Sequence, residues 1–222
     1  MYRIAVLVSG SGSNLQALID VSTQNTTRQA GASARGDVGA GTRSASRLSR
    51  SWRVSKVVSD RRGAYALERA HAAGIPTQVV SRRFHKGSLS DRILEALPAD
   101  VDAVVLAGFL SILRGEIIKR FRGRMINIHP ALLPEFGGKG MYGLHVHRAV
   151  LDSGARESGC TVHIVDEGTD TGPILVQKRV SVLDGDSPES LAARVQGVEH
   201  EALVEGVSML IERIAQSEKT VQ

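Results

Sequence analysis

The chain has 222 residues, 42% of them hydrophobic but only 4% aromatic, a net charge of +5 and a single cysteine, Cys160. This suffices for one full-sized α/β core of Val, Leu, Ile and Ala, and one cysteine excludes an intrachain disulfide framework. No apolar run approaches the roughly 20 residues of a membrane-spanning helix, and the first residues read as a strand rather than a leader, so a soluble cytoplasmic protein without a membrane partner is expected.

In chain order, a strand over residues 3–8 runs through Ser9-Gly10-Ser11-Gly12-Ser13 into a helix that starts near Asn14, which makes a βα unit. Residues 21–56 then place Arg28, Arg35, Arg43, Arg47, Arg50, Arg53 and Lys56 against one acid, Asp37, so this segment carries the whole charge excess. Its Ser, Gly, Ala, Arg and Thr content shows neither helical nor strand period, and it is expected to be a disordered or loosely ordered basic insertion. With the excess so localised, and no interleaved aromatics but Trp52, no nucleic-acid partner is expected.

A short strand over 56–59, a helix over 64–73 stopped by Gly74, a strand over 76–80 and a helix over 90–97 follow. The unbroken apolar run 103–107 suits a strand buried on both faces, and a helix over 115–120 leads to a strand over 124–129. After a helix over 145–151, strands 160–165 and 174–182 are joined by 166–173, too short for a crossover helix, so they form an antiparallel pair. An amphipathic helix over 187–214, opened by Ser187-Pro188-Glu189 as cap and first turn, closes the chain. Residues 1–222 are thus expected to form one Rossmann-like α/β domain: a mostly parallel twisted sheet flanked by helices, with an antiparallel strand pair near the C-terminus.

The most informative stretch is Asn127-Ile128-His129-Pro130. Strand period two points Asn127 and His129 the same way, and Pro130 stops the ladder, so an amide and an imidazole project together where open α/β sheets bind ligands. That pairing suits carbonyl chemistry. The loop Gly10-Ser11-Gly12-Ser13-Asn14 can close backbone N–H groups around a phosphate at a helix start, although it is neither a dinucleotide fingerprint nor a P-loop and a plain tight turn fits it as well. Asp170, if it lies near the carboxyl end of the sheet, would hold His129 and favour its protonated form; by spacing alone Asp166, Glu167 and Asp170 read rather as solvated turn residues. His163, inside a strand, faces either the core or the crevice and reads first as a satisfied core histidine, and Gln196 and Glu199 share one face of the last helix, where isolated polar residues are ordinarily surface. His145 and His147 lack the further ligands that would complete a metal site, so no metal is expected, and Cys160 reads as a packing residue.

Taken together, the motifs Val-Ser-Gly-Ser-Gly-Ser-Asn-Leu-Gln-Ala at 8–17, Ala-Gly-Phe-Leu-Ser-Ile-Leu at 107–113, Asn-Ile-His-Pro-Ala-Leu-Leu-Pro at 127–134, Gly-Leu-His-Val-His at 143–147 and Asp-Glu-Gly-Thr-Asp-Thr-Gly-Pro at 166–173 carry a resemblance. The chain resembles the folate-dependent phosphoribosylglycinamide formyltransferases of purine biosynthesis over residues 1–20 and about 56–215. The resemblance implies transfer of the formyl group of 10-formyltetrahydrofolate, as co-substrate, to the amine of glycinamide ribonucleotide. It implies a catalytic trio of Asn127, His129 and Asp170, with protonated His129 as one oxyanion donor. It implies ribonucleotide binding by Gly12, Ser13, Asn14, Gln196 and Glu199. It implies folate binding along Leu110, Ser111, Ile112, Leu113, Asn127, Asp166, Glu167, Gly168, Thr169 and Asp170. A monomer or homodimer is expected. Two departures stand out: Ser111 occupies a position where members commonly have arginine, and segment 21–56 is longer than the usual connection. The rival readings are a formyltetrahydrofolate hydrolase, whose family carries an extra N-terminal domain, and a non-catalytic nucleotide- or RNA-binding protein anchored by the basic segment.

Overall fold

The computed structural model describes residues 1–33 and 50–220, with side chains described outside 28–33. Its sheet has seven strands: β1 (Tyr2–Val8), β2 (Trp52–Ser59), β3 (Thr77–Val79), β4 (Ala103–Leu106), β5 (Met125–His129), β6 (Glu157–Ile164) and β7 (Ile174–Ser181). They lie in the order β3-β2-β1-β4-β5-β6-β7. β1 through β5 pair in parallel, whereas β6 runs antiparallel to both β5 and β7. The order reverses between β1 and β4, which opens a crevice beyond their carboxyl ends. The helices are α1 (Ser13–Ser33), α2 (Ala66–Ala72), α3 (Leu89–Ala96), α4 (Glu116–Arg120), α5 (Leu144–Asp152) and α6 (Pro188–Thr220).

Strand alternation divides the core into two layers. Ile4, Val6, Val8, Val105, Ile126, Ile128 and Val162 face α1, α2, α5 and α6, with Leu18, Ala70, Val150, Leu203 and Leu210 packed against them. On the other face Ala5, Leu7, Val104, Leu106 and Met125 meet Ile93, Leu97, Ile117 and Phe121. This second layer places the site: Met125 is buried beneath α3 and α4, and Asn127 and His129, two and four residues on, continue the same face past the cover of those helices.

The ends of segment 21–56 depart from the expectation of an insertion without regular structure; residues 34–49 lie outside the described ones. Residues 21–33 continue α1, and β2 begins at Trp52 rather than at Lys56. The helix is polar here because its hydroxyls bond back along it, Thr23 Oγ1 to Ile19 O at 3.0 Å and Thr26 Oγ1 to Ser22 O at 3.0 Å. It is joined to β2 by hydrogen bonds more than by an apolar stripe: Val54 N donates to Ser22 Oγ at 3.0 Å, and Asn25 Nδ2 to Trp52 O at 3.1 Å. Trp52 and Val54 are buried while Arg53 between them is exposed, a strand alternation that the basic composition masks.

Helix α6 opens as expected. Pro188 is its first residue, where the missing N–H costs nothing, and Ser187 caps it: Ser187 Oγ accepts from Ser190 N at 3.2 Å while Ser190 Oγ accepts from Ser187 N at 3.0 Å. Among the described residues, no helix is long and apolar enough to cross a membrane.

Candidate active site

The carboxyl ends of β4 and β5 and the start of α1 border a cleft of about 940 Å3. Its walls include Asn14, residues 110–113, Asn127, His129, His147, His163, Asp166, Gly168, Thr169, Asp170, Gln196 and Glu199. Most of the residues singled out in the sequence therefore meet in one cavity.

Four polar side chains touch at its centre. His163 stands opposite Asn127 in the β5–β6 ladder. Its Nδ1 lies 3.0 Å from Ile164 O, which can only accept, so Nδ1 carries a hydrogen. With the ring in its neutral form, Nε2 accepts from Asn127 Nδ2, 3.2 Å away. In that arrangement the second N–H of Asn127 makes no hydrogen bond among the described residues. Asp170 sits between the two histidines, with Oδ1 3.5 Å from His163 Nε2 and Oδ2 3.6 Å from His129 Nδ1, and it accepts from Gly138 N at 3.0 Å. His129 Nε2 donates to Phe136 O at 2.8 Å. Among the described residues, both non-glycine residues with positive φ, Phe136 at 53° and Asp170 at 59°, belong to this cluster. Strain gathered at one place marks it as a site where the surrounding structure enforces a geometry.

The path of Asp170 to His129 differs from the expected one. Because β6 runs antiparallel to β5, Ile164 lies opposite Ile126 and Val165 N bonds Met125 O at 2.8 Å, so loop 165–173 leaves beside the start of β5 rather than at its carboxyl end. It folds back over the face that carries Asn127 and His129. The electrostatics also correct an expectation. Burial is the largest influence on His129 and outweighs the Asp170 charge and the Phe136 carbonyl, so its pKa falls below the ordinary histidine value and the neutral ring is favoured. Burial works to raise Asp170 as well, but the His163 contact, the His129 charge and the Gly138 N–H outweigh it and hold the carboxyl below its usual range. Asp170 thus stays ionised, and the Gly138 N–H is a partner that needs no added proton on either histidine.

The other expected residues fall into place unevenly. Asn14 Nδ2 donates to Glu199 Oε2 at 2.7 Å and Gln196 Nε2 to Ser13 Oγ at 2.9 Å, so α6 presents both residues to the start of α1 and not to open solvent. Burial raises the pKa of Glu199, against the Asn14 hydrogen bond. Gly12 does not line the cleft: at φ +75° it packs on α2, where a Cβ would stand 2.6 Å from Ala66 Cβ. Leu110 and Ile112 expose apolar surface and Leu113 is buried. Ser111 donates its hydroxyl to the buried Asp60 at 2.6 Å. Glu167 turns away, its carboxylate 3.8 Å from the Arg122 guanidinium. Cys160 is fully buried, with its thiol pushed up to about 12 by burial, which suits a packing residue.

Two site residues escaped the sequence reading. His163 is no ordinary core histidine but the hinge between Asn127 and Asp170, and the signal was its alternation with Cys160, Val162 and Ile164, which puts it on the same face as Thr161. His147, one turn into α5, lines the cleft with its Nδ1 buried and unpartnered, and burial lowers its pKa.

The formyl transferase family model matches residues 2–207. A phosphoribosylglycinamide formyltransferase from Brucella melitensis is 39% identical, superposes with a TM-score of 0.71 and is matched over 94% of each chain. The chain belongs to this formyltransferase family. A glycinamide ribonucleotide transformylase from Symbiobacterium toebii, 37% identical, superposes with a TM-score of 0.78 over 96% of this chain and 88% of that one. Among curated relatives, the trifunctional purine biosynthetic protein adenosine-3 of Drosophila melanogaster is 40% identical over 94% of this chain, which spans only 14% of that protein. The chloroplastic phosphoribosylglycinamide formyltransferase of Arabidopsis thaliana is 39% identical over 95% of this chain and 65% of its own length. Formyltransferase membership accounts for the α/β sheet with its antiparallel strands near the C-terminus.

Proposed function

We propose that this protein transfers the formyl group of 10-formyltetrahydrofolate to the amine of glycinamide ribonucleotide, giving the N-formyl product and tetrahydrofolate in purine biosynthesis. One observation carries the reading: a single cleft is lined both by the Asn14, Gln196 and Glu199 group beside the glycine-rich loop and by the Asn127, His129 and Asp170 group. A phosphate ester and a carbonyl donor would share one chamber. The N–H groups around Gly12, Ser13 and Asn14 suit the phosphate, and the Glu199 and Gln196 side chains suit hydroxyls of the ribose. The apolar segment 110–113 and loop 166–170 suit the flat folate ring, with Glu167 outside the contact.

The neutral amine attacks the formyl carbon, a C–N bond forms and the carbonyl electrons move onto oxygen. The free N–H of Asn127 donates to that oxyanion, and an amide already held by His163 has no reorganisation to undergo. His129 acts as a neutral donor, with its Nε2–H exchanging Phe136 O for the substrate oxygen. Asp170, ionised and next to both rings, takes the proton lost by the amine through a water, and collapse of the intermediate breaks the bond to N10, which takes up a proton as tetrahydrofolate leaves. Neither a metal nor a covalent enzyme intermediate enters these steps.

The test is tetrahydrofolate release from 10-formyltetrahydrofolate with and without glycinamide ribonucleotide. Release that requires the nucleotide supports transfer; equal release without it identifies a hydrolase.

A further inference from the structure

Helix α2 forms the back of the glycine-rich loop without lining the cleft. Ala66 N donates to Gly10 O at 3.1 Å, and Arg69 Nε donates to Ser11 O at 3.0 Å. In a trans peptide unit the carbonyl and the following N–H point in opposite directions. Tying two successive carbonyls to α2 therefore turns the N–H groups of Ser11 and Gly12 away from it. Among the described residues, the N–H groups of Ser11, Gly12, Ser13 and Asn14 make no hydrogen bond. Arg69 is itself held in place: its Nη1 donates to Gln16 Oε1 at 3.2 Å, and its guanidinium lies 5.0 Å over the Tyr65 ring. Gly12, at φ +75° and pressed on Ala66, completes the mould.

We propose that Arg69 is a positioning residue for the phosphate ester: by holding Ser11 O it aims the Gly12 N–H for an anion, and it places a fixed positive charge behind the loop. This rests on the reading of residues 10–14 as the phosphate loop. A guanidinium that merely tied α2 to α1 would affect stability and both ligands alike, whereas a positioning role is confined to the phosphate.

The experiment is calorimetric titration of the full chain with ribose 5-phosphate and, separately, with 10-formyltetrahydrofolate, for wild type, Arg69→Met and Arg69→Lys. Arg69→Met is expected to weaken ribose 5-phosphate about tenfold, the scale of one lost charge-assisted hydrogen bond, and to leave folate affinity unchanged. Arg69→Lys, which keeps the charge and a donor, should recover most of the loss, and in turnover the Met variant should raise the nucleotide KM more than it lowers kcat. Ribose 5-phosphate affinity equal to wild type in Arg69→Met, or an equal loss of both ligands, overturns the proposal. Wild type that binds ribose 5-phosphate but transfers no formyl group overturns the transfer reading alone. Wild type that binds no ribose 5-phosphate overturns the phosphate-loop reading and this inference together.

Discussion

At the scale of single residues, the chemistry depends on Asn127 having only one of its two N–H groups committed. His163 takes one, and the other faces a cleft in which water is the competing partner. Asn127→Ala is expected to lower kcat on the order of 10²–10³, the usual cost of one oxyanion donor, while thermal unfolding stays near that of wild type. Steady-state assays paired with a melting curve check both parts. Gly12 represents the opposite case, where space rather than polarity decides. Gly12→Ala adds a methyl against Ala66 at a positive φ and should cost roughly 1–3 kcal/mol of stability, measurable by urea denaturation, together with weaker nucleotide binding. Asn127 and His129 were legible because period two and a following proline are local facts. His163 was not, because its meaning depends on the strand placed beside it, and nothing local in Cys160-Thr161-Val162-His163 names Asn127 as its neighbour.

At the scale of elements, boundaries were readable wherever turn chemistry marked them. Ser187-Pro188-Glu189 announces the start of α6 through a cap and a proline that needs no hydrogen-bond partner. Ser187→Ala removes that cap and should cost about 1 kcal/mol. In a chain of this size that corresponds to a melting temperature lower by roughly 2–4 °C, with kcat unchanged, which calorimetry and the transfer assay together check. The second half of α1 and the start of β2 were illegible for a physical reason. Their contacts are Ser22, Asn25 and Thr23 bonding to backbone, and side-chain-to-backbone hydrogen bonds leave no apolar period to read. The loop 165–173, expected near the carboxyl end of the sheet, starts beside Met125 because β6 pairs antiparallel to β5, and direction is decided by pairing rather than by the loop itself.

At the scale of the whole molecule, the switch in strand order between β1 and β4 brings the phosphate loop and the formyl site to one crevice, and burial of that crevice ties stability to pH. His129 and His147 both have pKa values lowered by burial, so the unfolded chain binds more protons than the folded one just below the ordinary histidine value of about 6.5. Stability should be full above that pH and fall as the solution is acidified through it, with Asp170 adding a second loss below the ordinary carboxylate range. Melting temperatures across pH 5–8 (roughly the histidine window) should show the decline, and His147→Gln should flatten part of it; a flat wild-type profile would contradict the burial of these rings.

The most direct measurement of the central claim is the mass of the nucleotide after incubation with enzyme and 10-formyltetrahydrofolate, counted against the tetrahydrofolate released. One formylated glycinamide ribonucleotide for each tetrahydrofolate, with both products falling together in Asn127→Ala, is the predicted result. Tetrahydrofolate released with the nucleotide unchanged and free formate in its place would contradict it.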